Sequence, residues 1–193
     1  MQKDIPVFDV EFDDESVWNS ISIVDFPAIE ENFIRLSKEG EIKFAINEEK
    51  RDVLGPVIIK DKLIYRNDEK GEYYLRFDEN TIKKMAVEFF RRDTQNNGNV
   101  MHQVDVPGVV FYQSFISNKD LGLSPKGFED VPEGSWFVAA HIDNDDVWEL
   151  VKNGELRGFS IDCQAGFVKE TKEKEMNTLE EFYNYLKNNN INK

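Results

Sequence analysis

Gly158-Phe159-Ser160-Ile161-Asp162 is the stretch on which the reading of this chain turns. In a strand, side chains two apart share a face. Ser160 and Asp162 therefore face one way, Phe159 and Ile161 the other. The apolar pair anchors the strand in a core and the polar pair faces a groove. Strands with one wet face commonly carry Ser and Asp, so the pattern alone does not make Ser160 a nucleophile.

Working outward, Gly158 follows a short predicted helix through Val147, Trp148 and Val151, capped by Asn144 or Asp145 and ended by Gly154. Before it, Trp136 to Ile142 is a nearly continuous apolar run, which predicts a central strand. Residues 118–134 hold three Gly and two Pro and read as a long surface loop. Val109 to Ile116 reads as another strand. The clearest helix is capped by Asp78 and carries Ile82, Met85, Ala86, Phe89 and Phe90 as one apolar stripe. Glu72 to Phe77 follows Leu63 to Arg66 across a Gly-containing turn, a hairpin signal. Val53 to Ile59 is a strand with a Gly55-Pro56 break, which predicts a bulge or an edge. Near the start, Ile5 to Phe12 and Ile21 to Val24 read as strands, the latter closed by Pro27. These elements divide the chain into an N-terminal extension contributing strands (1–52), a main domain (53–168), and a charged linker with a C-terminal amphipathic helix (169–193). Thr178 and Glu181 form a capping box for that helix.

Composition bounds the function. The formal net charge is −14 over 193 residues, which disfavours phosphate-backbone contacts and hence nucleic acid as a partner. No apolar run approaches the roughly 20 residues of a membrane span. The first residues lack a basic region followed by an apolar one, so no signal peptide is expected. A single cysteine, Cys163, excludes an intramolecular disulfide and a cysteine-rich zinc site. It reads as a packing residue at least as readily as a reactive thiol.

Only two histidines, His102 and His141, are present. A serine nucleophile needs a base, commonly histidine, and the base needs an orienting partner, commonly a carboxylate. Ser160, one histidine and one acid would suffice, although either histidine also fits a structural role. The chain has no Gly-x-Ser-x-Gly elbow, no phosphate loop and no His-Glu-x-x-His. Asp143-Asn144-Asp145-Asp146 lacks the rest of a calcium loop and suits helix capping.

The ordered set of segments resembles the phage prohead (capsid-maturation) serine proteases of the XkdF type. It comprises Ser22-Ile23-Val24-Asp25-Phe26-Pro27-Ala28-Ile29-Glu30, Gly55-Pro56-Val57-Ile58-Ile59, Gly71 to Phe77, Gly134-Ser135-Trp136-Phe137-Val138, Asp145-Asp146-Val147-Trp148, Asn153-Gly154-Glu155-Leu156 and Gly158 to Asp162. The resemblance implies an α+β fold of the herpesvirus-assemblin type, a mostly antiparallel β-barrel with surrounding helices. It implies Ser160 as nucleophile and His102, in Asn99-Val100-Met101-His102, as base. The family often places an acid directly after that histidine, where this chain has Gln103. For the third member Asp162 ranks first, Asp105 second and a distal acid such as Glu170 third. His141 fits no motif position and reads as structural. Arg157 is a candidate to assist backbone N–H groups at the oxyanion, with a plain surface arginine as the simpler reading. No cofactor or metal is implied. The implied partners are the phage scaffold and major capsid proteins and the chain's own tail, in the host cytoplasm inside the assembling prohead; a homo-oligomer stays open. The competing reading is a non-catalytic head-assembly or scaffold-like protein on the same fold.

Overall fold

A computed structural model describes residues 5–29, 34–35, 50–68, 71–96 and 98–169. The predicted C-terminal helix around residues 178–186 and the acid Glu170 lie outside the described residues, as do residues 37–49 of the charge-rich stretch 37–52, which reads as either a strand or a linker. The strands are β1 (Val7–Glu11), β2 (Val17–Val24), β3 (Ile34–Arg35), β4 (Asp52–Ile58), β5 (Ile64–Asp68), β6 (Gly71–Arg76), β7 (Gly98–Val100), β8 (Val104–Asp105), β9 (Val109–Ile116), β10 (Trp136–Ile142), β11 (Gly158–Gln164) and β12 (Gly166–Lys169). Two helices join them, α1 (Glu79–Arg91) and α2 (Asp145–Lys152). The fold is α+β and mostly antiparallel. Only β1 with β6 and β2 with β7 run parallel among the described pairings.

The strands form three four-stranded sheets, ordered β12-β1-β6-β5, β3-β4-β10-β9 and β11-β2-β7-β8. Each is open, and the described residues close no barrel. β1 and β2, from the first fifty residues, lie in the interior of their sheets. The serine strand, which reads from the sequence as running from Gly158 to about Val168, ends at Gln164, because β11 and β12 lie in different sheets and the chain changes sheet at Ala165.

Apolar alternation explains the core. Ile21 and Ile23 of β2 and Phe159 of β11 point inward and are buried. Every residue from Trp136 to Ala140 is buried, as a strand flanked on both sides requires. α1 is capped by Asp78, whose carboxylate accepts from the Thr81 backbone N–H at 2.7 Å. It buries Ile82, Met85 and Phe89, whereas Phe90 at the edge of the stripe is half exposed. Phe89 meets Trp18, Phe111 and Trp136 edge-on, and Phe111 meets Phe159. This aromatic cluster ties the β2 sheet, the β4 sheet and α1 into one core.

Three register shifts shape the sheets. In β4 the extra residue is Val57, directly after Pro56; of the bulge or edge that the Gly-Pro break predicts, the fold makes a bulge, because β4 lies between β3 and β10. In β9 it is Tyr112. In β2 it is Asn19: Asp162 pairs with Ser20, but Cys163 pairs with Trp18. The extra residue turns Trp18 to the core side while Ser20 and Ser22 stay on the other face. The long loop 118–134 is anchored rather than loose. Phe128 is buried against Phe137, and the Ser117 and Ser135 hydroxyls both donate to the Pro132 carbonyl. Among the described residues no helix is long and apolar enough to cross a membrane.

Candidate functional site

The site is built on the face of the β2 sheet opposite the core. Strand register places one polar residue from each of its four strands in a single cross-strand row. Ser160 pairs with Ser22, Ser22 with Asn99, and Asn99 with Asp105. The adjoining row, Phe159, Ile23, Val100 and Val104, is apolar. This is the period-two alternation expected of a strand pair with one face in the core. Residues directly opposite in an antiparallel pair have Cβ atoms about 5 Å apart, so Ser160 and Ser22 are immediate neighbours.

His102 comes to this row from the turn between β7 and β8. The Gln103 backbone N–H donates to the Val100 carbonyl, and Met101 and His102 both have positive φ, +58° and +56°. This is the primed turn that matches hairpin twist, made here without the Asn-Gly pair it usually requires. Two consecutive non-glycine residues in that region are strained, a feature that gathers at functional sites. The Met101 backbone N–H donates to the Ile23 carbonyl at 3.0 Å, pinning the turn to β2. The exposed His102 ring then folds back over the sheet, with Nδ1 3.0 Å from Ser22 Oγ. Ser22 Oγ donates to Asn99 Oδ1 at 2.9 Å, and Asn99 Nδ2 donates to Asp105 Oδ1 at 2.9 Å.

Ser160 and His102 thus converge on Ser22 from two sides. No hydrogen bond joins them directly among the described residues. Ser160 is partly open to solvent, whereas Ser22 is fully buried. Asp162 shares the face of Ser160 but stands opposite Ser20, one row further from the turn that carries His102. It makes no hydrogen bond to His102; Ser22 holds Nδ1 instead. Asp105 belongs to the row, but it reaches His102 only through Asn99 and Ser22. Arg157 is engaged elsewhere, its Nε donating to the Asp25 carbonyl at 2.9 Å. Sequence reasoning missed Ser22 and Asn99 as site residues. The available signal was the alternation Ser20-Ile21-Ser22-Ile23, which repeats the wet-face pattern of the Ser160 strand.

Cys163 lies beside the site on the core-facing side of β11. Burial, aided by the Asp162 carboxylate, pushes its thiol up to about 11 from an ordinary 9.0. That leaves about a hundredfold less thiolate than an ordinary cysteine at the same pH. Alkylation by iodoacetamide at pH 8 is expected to be slower by about that factor in the native chain than in the urea-unfolded chain. Equal rates, followed by intact mass, would contradict this.

His141 stands apart, on β10. Its Nδ1 lies 2.7 Å from Asp52 Oδ1 and its Nε2 3.2 Å from Asp143 Oδ1. The Asp52 hydrogen bond raises its pKa above the ordinary 6.5, against a smaller opposing effect of burial. A raised histidine contributes stability that is fully present below the unfolded value and is lost as pH rises through the folded one. The stability gap between wild type and His141→Gln is therefore expected to be largest just below pH 6.5 and to close at higher pH. Urea midpoints across that range measure it, and a gap that widens with pH would contradict the assignment. Among the described residues no group of three or more His, Cys, Asp or Glu side chains is arranged to hold a metal ion.

A serine strand and a histidine turn brought to one sheet face, on a mostly antiparallel α+β framework, have the make-up of a serine-hydrolase site. A family model described as "Putative phage serine protease XkdF" matches residues 44–170, and the chain belongs to that family. The matched span contains both Ser160 and His102; Ser22 precedes it. No curated protein and no solved structure gives a match.

Proposed function

We propose that this member of the XkdF family is a serine protease, a capsid-maturation endopeptidase with Ser160 as nucleophile and His102 as general base. The observation that carries the assignment is the row register: Ser160 lies directly across from Ser22, and Ser22 Oγ is 3.0 Å from His102 Nδ1. The ring is thereby within about a side chain's reach of Ser160. His102 Nε2 takes the Ser160 proton as Oγ attacks the peptide carbonyl carbon. The tetrahedral intermediate collapses as His102 returns that proton to the leaving amine. Water, activated by the same nitrogen, then releases the acyl group. The substrates are the scaffold and the capsid protein of the assembling prohead, and the chain's own tail. The same reading includes an assemblin-like barrel. Supporting it, β4 comes close to β11, bringing two of the sheets together. An experimental structure of the whole chain tests this closure.

Ser22 competes as nucleophile because it is the serine bonded to the histidine. Its full burial and the donation of its proton to Asn99 favour Ser160. Labelling with a diphenyl phosphonate followed by peptide mapping separates the readings. The adduct is expected on Ser160. An adduct on Ser22 would move the nucleophile. No adduct, with no cleavage of co-expressed scaffold or capsid protein, would leave a non-catalytic assembly protein.

A further inference from the structure

The row below His102 has only one consistent hydrogen-bond polarity. A carboxylate accepts and does not donate. The group of Asn99 that faces Asp105 at 2.9 Å is therefore its NH2. That turns Asn99 Oδ1 toward Ser22, where it takes the one hydroxyl proton Ser22 has, at 2.9 Å. Ser22 Oγ then has only lone pairs to offer His102 Nδ1 at 3.0 Å, so Nδ1 carries a proton. A neutral imidazole has a single N–H, and its basic atom is then Nε2.

We infer that Ser22, Asn99 and Asp105 form a directional relay that fixes His102 in the Nδ1–H tautomer, with Ser22 in the orienting position that a carboxylate usually fills. The relay rests on the protease reading only for its consequence. Its tautomer follows from the hydrogen bonds whatever the chain cleaves. Within that reading the Nδ1 proton stays in place while the Ser160 proton moves to Nε2 and back. The ring becomes imidazolium with Ser22 Oγ still accepting from Nδ1. Ser22, Asn99 and Asp105 are positioning residues, because none of them touches the reacting atoms.

The arrangement also accounts for three features. Ser22 is buried with both hydrogen bonds made, so the oxygen that orients the ring is shielded from water. Gln103 in place of an acid leaves no carboxylate directly after His102, and the relay brings one in from Asp105, three residues on. The strained turn at Met101 and His102 holds the ring over the row.

Nitrogen-15 NMR of the full chain labelled at histidine tests this, with His141→Gln assigning the two rings. With the ring neutral, wild type is expected to show a protonated Nδ1 and a bare Nε2. Ser22→Ala removes the acceptor, and the ring is expected to move to the Nε2–H form. Asp105→Ala, at an exposed position, frees Asn99 to turn over and is expected to populate that form in part. Phosphonate labelling of Ser160 should slow about a hundredfold in Ser22→Ala, the low end of what a general base contributes. A wild-type ring protonated on Nε2, or a tautomer unchanged by Ser22→Ala, overturns the relay. A Nδ1–H ring that responds to Ser22→Ala in a chain that neither cleaves nor labels upholds the relay and overturns the protease reading.

Discussion

Ser160→Ala is expected to lower cleavage of co-expressed scaffold or capsid protein by between about 10³- and 10⁶-fold, the range for losing a nucleophile that acts as a unit with its base. The fold should survive. Ser160 is partly exposed on the wet face, and removing its hydroxyl leaves the Ser22 to Asn99 to Asp105 hydrogen bonds intact. A change of about 1 kcal/mol or less in unfolding free energy is expected. His102→Asn is the matching probe of the base. Asparagine tolerates positive φ better than most residues, so it suits the +56° backbone while removing the imidazole. The two variants should be equally inactive, and the double variant no worse than either, because nucleophile and base fail together. Cleavage at wild-type rate by Ser160→Ala would refute the assignment. Residual activity in Ser160→Ala that vanishes in Ser22→Ala would transfer the nucleophile to Ser22.

The largest expected effect on stability comes from a methyl group at Gly98. A Cβ there would lie 2.2 Å from the Val109 Cβ and 2.7 Å from its Cγ1. β7 and β9 belong to different sheets and approach each other here, so the glycine is required by contact and not by backbone angle. The obstacle is a Cβ fixed to its own backbone, and a rotamer change cannot relieve it. Gly98→Ala therefore has to push one strand away from the other. We expect a loss of about 3 kcal/mol or more, the upper part of the overpacking range, read as a Tm lower by about 6–12 °C. Because β7 also carries Asn99 and leads into the His102 turn, labelling of Ser160 should fall even in the fraction that folds. Val109→Gly should recover part of the loss in the double variant, whereas Val109→Ala, which keeps the Cβ, should not. A Gly98→Ala protein with unchanged Tm would show that the sheets are not this close.

Several elements were legible in the sequence because their cause is local. The α1 stripe and its Asp78 cap, a cap of α2 at Asn144 or Asp145 (Asn144 in the fold), the β5–β6 hairpin and the apolar run of β10 each follow from periodicity or turn chemistry within a dozen residues. The Gly55-Pro56 break marked a bulge or an edge for the same reason, and only the sheet order made it a bulge in an interior strand. The first half of β2 was not. The extra residue Asn19 breaks the period-two pattern, so Val17 to Ser20 does not read as a continuation of Ile21 to Val24. The end of β11 was also hidden, because a change of sheet at Ala165 leaves no mark on hydrophobicity.

The candidate site divides along the same line. By itself the sequence determined that Ser160 lies on a wet strand face with Phe159 behind it, and through its family resemblance it picked out His102 and set His141 aside. Its formal net charge of −14 also disfavours a phosphate-backbone partner. Only the tertiary structure decided which groups meet. Pairing of β11 with β2, and of β2 with β7, is a long-range register, and register alone makes Ser160, Ser22, Asn99 and Asp105 one row. The family resemblance ranked Asp162 first as partner of His102, as the acid two positions after the serine. The folded chain puts Ser22 in that place, because β2 lies next to β7, which leads into the His102 turn, whereas Asp162 stands on β11, one strand further away and opposite Ser20.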